Sequence, residues 1–252
     1  MPYMMGGFSD PEISTRIAAA YADGGADLIE LGVPFSDPLA DGPVIHAAAT
    51  DALNKGVRLE AVLEVCRSVS DRIPVVLMAY SNMILGAGGP ADFARRAAEA
   101  GASGVIVPDL PLGEDEESRR VLADAGLAVI PLIAPTTLDA RRSEICEVAG
   151  GFVYVVSSVG TTGERGELPD HLRELVEDVK SRADVPVAVG FGIGSPEQAA
   201  EVGEVADGVI IGSKLVRMVA EAADGDRAVA EVTAFLEDTR AALGAESSTG
   251  IR

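Results

Sequence analysis

Residues 185–215 read VPVAVGFGIGSPEQAAEVGEVADGVIIGSKL and repeat one pattern twice. In each repeat a short apolar run, at 185–189 and again at 208–211, leads into glycine and serine and then into a helical stretch. Short β-branched runs that alternate with helical stretches are typical of strand–helix units around a parallel sheet. Residues 185–215 therefore predict two successive units of an α/β fold.

The same alternation extends over the whole chain of 252 residues, a length that suits one α/β barrel. Strands are predicted at residues 2–5, 27–31, 74–79, 104–107, 128–132, 152–156, 185–189 and 208–211, and helices include 12–23, 90–100, 113–125, 138–148 and 171–183. An open doubly wound sheet is disfavoured, because no GxGxxG follows the first strand and the glycine-rich loops lie late in the chain. We predict a single (β/α)8 TIM barrel over residues 1–244 and a flexible tail over 245–252.

Small-residue turns connect several predicted helices to the next strand. The turns at 23–26, 100–103 and 124–126 each contain glycine, which accepts the left-handed φ that short helix-to-strand loops require. These turns mark the bottom face of the sheet. Because barrel enzymes place their chemistry at the opposite rim, we expect the site where the strands run into Pro, Asp, Ser and Gly.

The chain has 40 acidic and 20 basic residues, a formal net charge of −20. A surface of this charge repels nucleic acid and anionic membranes. The acidic residues are spread through predicted helices, while lysine occurs only at Lys55, Lys180 and Lys214. We interpret this composition as the salt adaptation of a halophilic protein; an acidic face for a basic partner is the alternative.

The two cysteines, Cys66 and Cys146, lie in helical patterns without CxxC or histidine-rich spacing. Such cysteines fit a reducing compartment, and the apolar runs are too short to cross a bilayer. The N-terminus has no basic stretch that leads into an apolar signal core. We therefore expect a soluble, cytoplasmic protein.

Glu30 interrupts the apolar strand predicted at 27–31, and strand alternation places its side chain on the same side as Leu28. If Leu28 points into the barrel, so does Glu30. Desolvation raises the pKa of a carboxyl group, so Glu30 is suited to exchange protons near neutral pH. The simpler alternative is that Glu30 is a structural acid whose carboxyl oxygens accept hydrogen bonds from neighbouring donors.

Eleven residues later, Asp41 lies in a loop that also holds Pro34, Pro38 and Pro43. The prolines restrict this loop, which is longer than a minimal strand-to-helix connection. As isolated residues, Asp37 and Asp41 would be turn formers. The position of the loop directly after a strand with a buried acid favours Asp41 as a second functional carboxylate.

Glycines follow the last two predicted strands, in GFGIGS after the seventh and in GSK after the eighth. Glycine lets backbone N–H groups approach a ligand, and the N-terminus of the following helix favours negative charge. Barrels often bind phosphate with these two loops, so we predict a phosphate site there. Ordinary tight turns and a helix cap are the alternative.

Residues 157–169, SSVGTTGERGELP, form a long predicted loop that we interpret as a mobile lid, with a merely disordered connection as the alternative. His46 and His171 have no acid partner at recognisable spacing, so neither metal binding nor base catalysis is predicted. Asp109 ends the fourth strand, either as a turn residue or as a supporting site residue. Tyr154 fits core packing and substrate contact equally well.

The stretch IELGVPFSDPLADGP at 29–43 resembles the tryptophan synthase alpha subunit family. Further segments similar to that family follow in the same order: PVVLMAYSN (74–82), GVIVPDLP (104–111), LIAPTT (132–137), FVYVVSSVGTTG (152–163), VAVGFGI (187–193) and DGVIIGSKLV (207–216). The resemblance covers nearly the whole chain. It implies a lyase that splits indole-3-glycerol phosphate into indole and glyceraldehyde 3-phosphate in L-tryptophan biosynthesis.

The resemblance also implies roles for individual residues. Glu30 would be the general acid/base, and Asp41 the second catalytic carboxylate, which hydrogen-bonds the indole N–H. Substrate contacts are implied for Tyr3, Tyr154, Thr162 and Phe191, and phosphate contacts for Gly163, Gly192, Gly212 and Ser213. The family commonly has Phe where this chain has Tyr3.

A partner is implied as well, the pyridoxal-phosphate-dependent beta subunit of an alpha2-beta2 tetramer, which receives indole through a tunnel. Asp37 and Pro38 would lie at that interface, and this chain would bind no cofactor or metal of its own.

Two departures from the family stand out. The family normally has a helix before the first strand, and GGFSDP at 6–11 is longer than its usual turn there.

Two other functions remain open at the level of sequence. Another phosphate-binding barrel enzyme, of aromatic amino-acid or thiamine biosynthesis, would keep the glycine loops but has no reason to pair Glu30 with the PFSDPLADG loop. A weakly catalytic subunit that activates a partner is the other alternative, and the two intact carboxylates argue against it.

Overall fold

The computed structural model describes residues 1–86, 88–156, 169–190 and 192–247, with side chains to residue 244. Its strands are β1 (Tyr3–Met5), β2 (Ile29–Gly32), β3 (Val75–Met78), β4 (Gly104–Ile106), β5 (Ala128–Ile130), β6 (Leu132–Ile133), β7 (Val153–Val156), β8 (Val187–Gly190) and β9 (Gly208–Ile210). Its helices are α1 (Pro11–Asp23), α2 (Pro43–Asn54), α3 (Leu59–Val69), α4 (Ser81–Ile84), α5 (Gly89–Glu99), α6 (Glu116–Asp124), α7 (Asp139–Glu147), α8 (Asp170–Arg182), α9 (Pro196–Gly203), α10 (Ser213–Glu221) and α11 (Gly225–Ser247).

All strand pairs are parallel and form two sheets, β1-β2-β3-β4-β5 and β6-β7-β8-β9. A bridge between Pro2 and Ile211 joins the first strand to the last, and the Tyr3 N–H donates to the Ile211 carbonyl at 2.9 Å. Because β5 and β6 are consecutive pieces of one strand, the two sheets form a barrel of eight strands. The predicted α/β barrel is confirmed.

The predicted strand at 128–132 is wrong in one respect, because Pro131 divides it into β5 and β6. Proline has no N–H to donate to a neighbouring strand. β5 pairs with β4 as far as Ile106 and Ile130, whereas β6 pairs with β7. The gap that follows between the end of β4 and β6 is called the seam below.

Alternation along β2 separates two apolar layers. Ile29 and Leu31 face outward into the core between the strands and the helices. Leu28 and Glu30 face inward, which confirms the orientation predicted from the sequence. The inner layer is filled by buried residues from most strands, namely Val76, Ile106, Ile130, Phe152, Ala188 and Ile210.

The glycine turns at the bottom of the barrel have the expected geometry. Gly25, Gly101 and Gly126 have φ of 83°, 82° and 87°, a region that L side chains rarely adopt. One helix starts later than predicted, since α6 begins at Glu116 rather than at residue 113. The Asp115 side chain accepts from the Ser118 N–H at 3.1 Å and so caps the helix at that point.

The last helix, α11, packs against α1 and α9 and extends to Ser247. Residues 245–247 of the predicted tail therefore continue this helix, and residues 248–252 lie outside the described part of the chain. Within the residues described, no helix is long and apolar enough to cross a membrane.

Candidate active site

A cavity of about 510 Å³ opens at the carboxyl ends of the barrel strands. Its wall includes an inward-facing residue from each of the eight barrel strands, and both Glu30 and Asp41 line it. Barrel enzymes place their chemistry at this end, and small-molecule sites commonly have volumes of roughly 300–1,000 Å³. The position, size and two carboxyl groups make this cavity the candidate active site.

Glu30 lies on β2, opposite Tyr3 of β1, and only 4% of it is exposed. Burial raises the pKa of Glu30 to about 8, and the negative charge of Asp41 adds to the rise. A carboxylate that leaves water without a paired cation becomes less stable relative to its protonated form. At neutral pH Glu30 therefore keeps its proton and can donate it.

Asp41 lies at the end of the loop after β2 and is held from outside the cavity by Tyr80. The Tyr80 hydroxyl donates to Asp41 Oδ1 at 3.1 Å and accepts from the Ala40 N–H at 3.1 Å, while its ring stacks on Phe35 with centroids 5.1 Å apart. Burial raises the pKa of Asp41, but the Tyr80 hydrogen bond and the charge of His46 oppose the rise. The pKa of Asp41 therefore departs less from its ordinary value than the pKa of Glu30 does.

Tyr80 and His46 are site residues that the sequence interpretation missed. Tyr80 follows β3, and His46 lies in the first turn of α2 and influences Asp41 electrostatically. The prediction that His46 is neither a metal ligand nor a catalytic base stays a prediction. Alternation within one strand carries no signal for such contacts between loops.

Asp109 is a supporting residue of the rim. Its carboxylate accepts from the Ser81 N–H at 2.8 Å and from the Ser81 hydroxyl at 2.7 Å. Ser81 begins α4 directly after Tyr80, so Asp109 fixes the start of the segment that carries Tyr80. Of the two sequence interpretations of Asp109, the structure supports the second.

Two tyrosines from opposite sides of the barrel complete the wall. Tyr3 and Tyr154 both line the cavity, and burial raises the pKa of each phenol well above its ordinary value. Each lies against a glycine of a neighbouring strand, since a Cβ on Gly32 or Gly190 would overlap the adjacent tyrosine hydroxyl. The two glycines thus make room for the phenol groups beside Glu30.

The other end of the cavity is built from backbone. Gly192, Gly212 and Ser213 line it, and Gly212 immediately precedes helix α10. Gly212 has no side chain with which to cap the helix, so the first N–H groups of α10 lie at the cavity without a cap from that residue. By contrast, Ser195 caps α9 through the Gln198 N–H at 3.4 Å. The uncapped N-terminus is suited to a negatively charged group.

Three predicted site residues, Thr162, Gly163 and Phe191, lie outside the described residues, as does the predicted lid at 157–168. Asp37 and Pro38 lie on the loop after β2, where Asp37 is exposed and Pro38 half-buried, and neither lines the cavity. The next residue, Leu39, is 86% exposed. Asp37 and Pro38 are thus separated from the chemistry at Glu30.

Within the described part of the chain, no group of three or more His, Cys, Asp or Glu side chains is arranged to hold a metal ion. The cavity instead combines one carboxyl group protonated at neutral pH, a second carboxyl group held by a phenol, and a backbone pocket for an anion. This combination suits proton transfer on a phosphorylated, partly apolar substrate.

Comparison with known proteins agrees with this geometry. A family model described as "Tryptophan synthase alpha chain" matches residues 1–243. The chain is 48% identical over 219 residues to the tryptophan synthase alpha chain of Carboxydothermus hydrogenoformans, over 86% of this chain and 82% of that protein. It is 44% identical over 248 residues to that of Thermosynechococcus vestitus, over 96% and 91% of the two chains.

Solved structures show the same similarity. Tryptophan synthase of Mycobacterium tuberculosis superposes with a TM-score of 0.88 at 37% identity, over 96% of this chain and 91% of the other. Tryptophan synthase subunit alpha of Legionella pneumophila superposes with a TM-score of 0.87 at 37% identity and the same coverage. The chain belongs to the tryptophan synthase alpha chain family.

Proposed function

We propose that this protein is a lyase that cleaves indole-3-glycerol phosphate into indole and glyceraldehyde 3-phosphate, a step of tryptophan biosynthesis. The observation that carries the proposal is the convergence of Glu30 and Asp41 in one cavity, with the pKa of Glu30 raised to about 8. Two carboxyl groups with different environments can take different protonation roles at one pH. Cleavage of this substrate needs both roles.

The reaction is a retro-aldol cleavage of the bond between indole C3 and the glycerol side chain. Protonated Glu30 donates its proton to C3, which turns the ring into a cationic indolenine that can accept an electron pair. Asp41 accepts a hydrogen bond from the indole N–H and stabilises the positive charge there. The ionised Glu30 then removes the proton of the side-chain hydroxyl as the carbon–carbon bond breaks. The electron pair of that bond restores the indole ring.

The substrate phosphate is proposed to bind at the N-terminus of α10, where Gly212, Ser213 and Gly192 line the cavity. We assign Gly163 to the same phosphate site. Contacts with the indole and glycerol parts of the substrate are assigned to Tyr3, Tyr154, Thr162 and Phe191. The start of α10 supports this placement, because Gly212 supplies no side-chain cap and the helix dipole favours a negatively charged phosphate there.

The proposal includes a partner, the beta subunit of tryptophan synthase, in an alpha2-beta2 tetramer. The loop with the exposed Asp37 and the 86% exposed Leu39 supports a contact at this rim, because both side chains are accessible to a partner. The pyridoxal phosphate of the complex would belong to the beta subunit, and this chain needs none for the cleavage described above.

The proposal also places the protein in the cytoplasm of a salt-adapted cell. A net charge of −20 supports the salt adaptation, because repulsion among surface carboxylates is screened when the ionic strength is high. The boundary between the barrel at 1–244 and a flexible tail stays a prediction.

The direct test is to incubate the purified chain with indole-3-glycerol phosphate in high KCl, alone and with a tryptophan synthase beta subunit, and to follow indole release. We expect slow release from the chain alone and faster release from the complex. If neither condition yields indole, the proposed function is wrong.

The phosphate placement has its own test in Gly212→Ala. A Cβ there meets its nearest atoms only at 3.7 Å, so the barrel tolerates it, but the methyl group faces the ligand side of the helix start. We expect the KM to rise about tenfold with kcat nearly unchanged. Gly244→Ala is the matched control, since nothing lies within 4 Å of its Cβ. Equal kinetics in both variants would remove Gly212 from the phosphate site.

A further inference from the structure

A second cavity, of about 480 Å³, lies on the flank of the barrel between the segment that follows β4 and helix α7. It is nearly as large as the candidate active site, and Pro108, Leu132 and Thr136 line both cavities. Nothing in the proposed cleavage uses this space. We call it the seam cavity.

The seam cavity exists because the barrel wall is interrupted there. Past the pair Ile106–Ile130, the described residues of β4 and β6 form no ladder, and β6 pairs only on its other edge, with β7. Pro108 and Pro131 stand on the two sides of this gap, and neither has an N–H with which to close it. The two prolines therefore leave the barrel wall open at this point.

The lining is aliphatic with a positive edge. Leu112, Val129 and Ile145 supply apolar surface, and among the described lining residues there is no aromatic ring and no carboxylate. The half-buried residues Arg119, from α6, and Arg141, from α7, also line the cavity. A site with this lining fits a flexible apolar chain that ends in an anion.

The two arginines differ in how much of their binding capacity is used. Arg141 donates to the Leu112 carbonyl and pairs with Glu144 at 2.8 Å. Arg119 reaches only the Leu110 carbonyl, at 3.5 Å, and no carboxylate among the described residues forms an ion pair with it. A guanidinium group offers five N–H donors, so Arg119 retains most of its capacity for an incoming anion.

We propose that the seam cavity is a second ligand site, distinct from the catalytic cavity, for a small amphipathic anion: an aliphatic body against Leu112, Val129 and Ile145, and a carboxylate or phosphate head on Arg119. Its volume lies in the range of roughly 300–1,000 Å³ that small-molecule sites occupy. The site does not depend on the proposed cleavage reaction.

The absence of tryptophan from the chain allows a specific reporter. Leu138 lines the seam cavity and is 77% exposed, so Leu138→Trp places a single indole fluorophore at the mouth. Val148→Trp, at the other end of α7 and 54% exposed, is the matched control reporter. Octanoate, titrated below its micelle concentration, is the probe, and 1-octanol is its uncharged counterpart.

We expect octanoate to shift the emission of Leu138→Trp with saturation, to leave Val148→Trp unchanged, and to bind better than octanol. Adding Arg119→Gln should weaken octanoate binding about tenfold, the loss of one charged hydrogen-bonding partner. Arg120→Gln, which changes an exposed neighbour outside the cavity, should leave it unchanged.

Three results would overturn the site. The first is no saturable shift in Leu138→Trp. The second is an equal response of both reporters, which indicates non-specific adsorption. The third is a lack of charge recognition, seen either as equal affinity for octanoate and octanol or as an equal loss of octanoate affinity in Arg119→Gln and Arg120→Gln. Circular dichroism of each variant separates loss of binding from loss of fold.

Discussion

Glu30 and Glu60 are the same residue type in opposite environments. Glu30 faces the barrel cavity, and burial raises its pKa to about 8. Glu60 lies at the surface, where Arg96 and Arg67 donate to it at 2.8 Å and 2.9 Å and lower its pKa. At neutral pH the first carboxyl group is protonated and the second is ionised. The difference shows that exposure to water and the presence of neighbouring cations, not the residue type, decide which carboxyl group can serve as an acid.

The same contrast holds for the aspartates. Burial raises the pKa of Asp41, whereas hydrogen bonds from Arg182 and then Arg142 lower that of Asp139. In a chain with twice as many acidic as basic residues, the described surface pairs its arginines with many of its carboxylates. No arginine or lysine lines the described wall of the active-site cavity. The N-terminal ammonium opposes the rise in the pKa of Glu30 only in part, and no arginine or lysine side chain of this wall adds to that opposition.

The variant expected to have the largest effect is Glu30→Gln, which keeps the shape of the side chain and removes its proton transfer. We expect kcat for indole release to fall by at least about 10³-fold, while glycerol 3-phosphate binds within about threefold of the parent by calorimetry. Glu60→Gln is the matched control and should keep the parent kcat. If Glu30→Gln retained a tenth of the activity, Glu30 would not be the acid.

The same variant tests the raised pKa through stability. The folded pKa of about 8 exceeds the value of 4.5 for an unperturbed Glu, so ionisation of Glu30 opposes folding as pH rises between these values. Glu30→Gln removes this cost, and its Tm should exceed that of the parent by more at pH 8 than at pH 5. A Tm difference independent of pH would contradict the shift.

Asp41→Asn should have the next largest effect. The amide keeps the size of the side chain but cannot stabilise the positive indole nitrogen with a full negative charge. We expect kcat to fall about 10²–10³-fold, the usual cost of losing one electrostatic contact to the transition state. Steady-state kinetics in high KCl measure it. A fall in affinity for substrate with kcat unchanged would assign Asp41 to binding alone.

Tyr80→Phe should have a smaller effect, because Tyr80 acts through Asp41. Removing its hydrogen bond lets burial raise the pKa of Asp41 further, so the acid limb of the kcat/KM profile should move to higher pH, with about a tenfold loss at neutral pH. Tyr21→Phe is the control, since its hydroxyl donates to the Tyr3 backbone carbonyl at 3.3 Å and Tyr21 does not line the active-site cavity. An acid limb that did not move would make Tyr80 merely structural.

Asp139→Asn, at the surface, should have the smallest effect. Kinetic constants should stay within about twofold of the parent, and Tm should fall by less than about 3 °C at neutral pH. Because its pKa is lowered by Arg182 and Arg142, Asp139 stabilises the fold above its unperturbed pKa of 3.8 and loses that effect as pH falls through the folded pKa. Calorimetric melting curves check this pH dependence. A large loss of activity in Asp139→Asn would contradict the separation of the surface carboxylates from the active site.

Much of the fold followed from local pattern. The run from Leu28 to Leu31 alternates, so the inward position of Glu30 could be predicted from strand geometry alone. Gly25, Gly101 and Gly126 could be placed at helix ends because few other residues accept their φ. Each of these features depends on residues close together in the chain.

The features that were missed depend on distant residues or on backbone pairing. Tyr80 reaches Asp41 across 39 positions, a contact that no local pattern predicts. Pro131 lies inside an apolar run that looks like one strand, and its missing N–H decides the pairing of two neighbouring strands. The seam cavity follows from that break and has no signal of its own in the sequence.

The most direct test of the central claim is a titration of Glu30 by ¹³C NMR with glutamate labelled at the carboxyl carbon. Subtracting the spectra of Glu30→Gln from those of the parent isolates the Glu30 resonance from the other glutamates. We predict a titration midpoint at about pH 8, which leaves Glu30 protonated at neutral pH. A midpoint near 4.5, the unperturbed value, would contradict the assignment of Glu30 as the acid that protonates the indole ring.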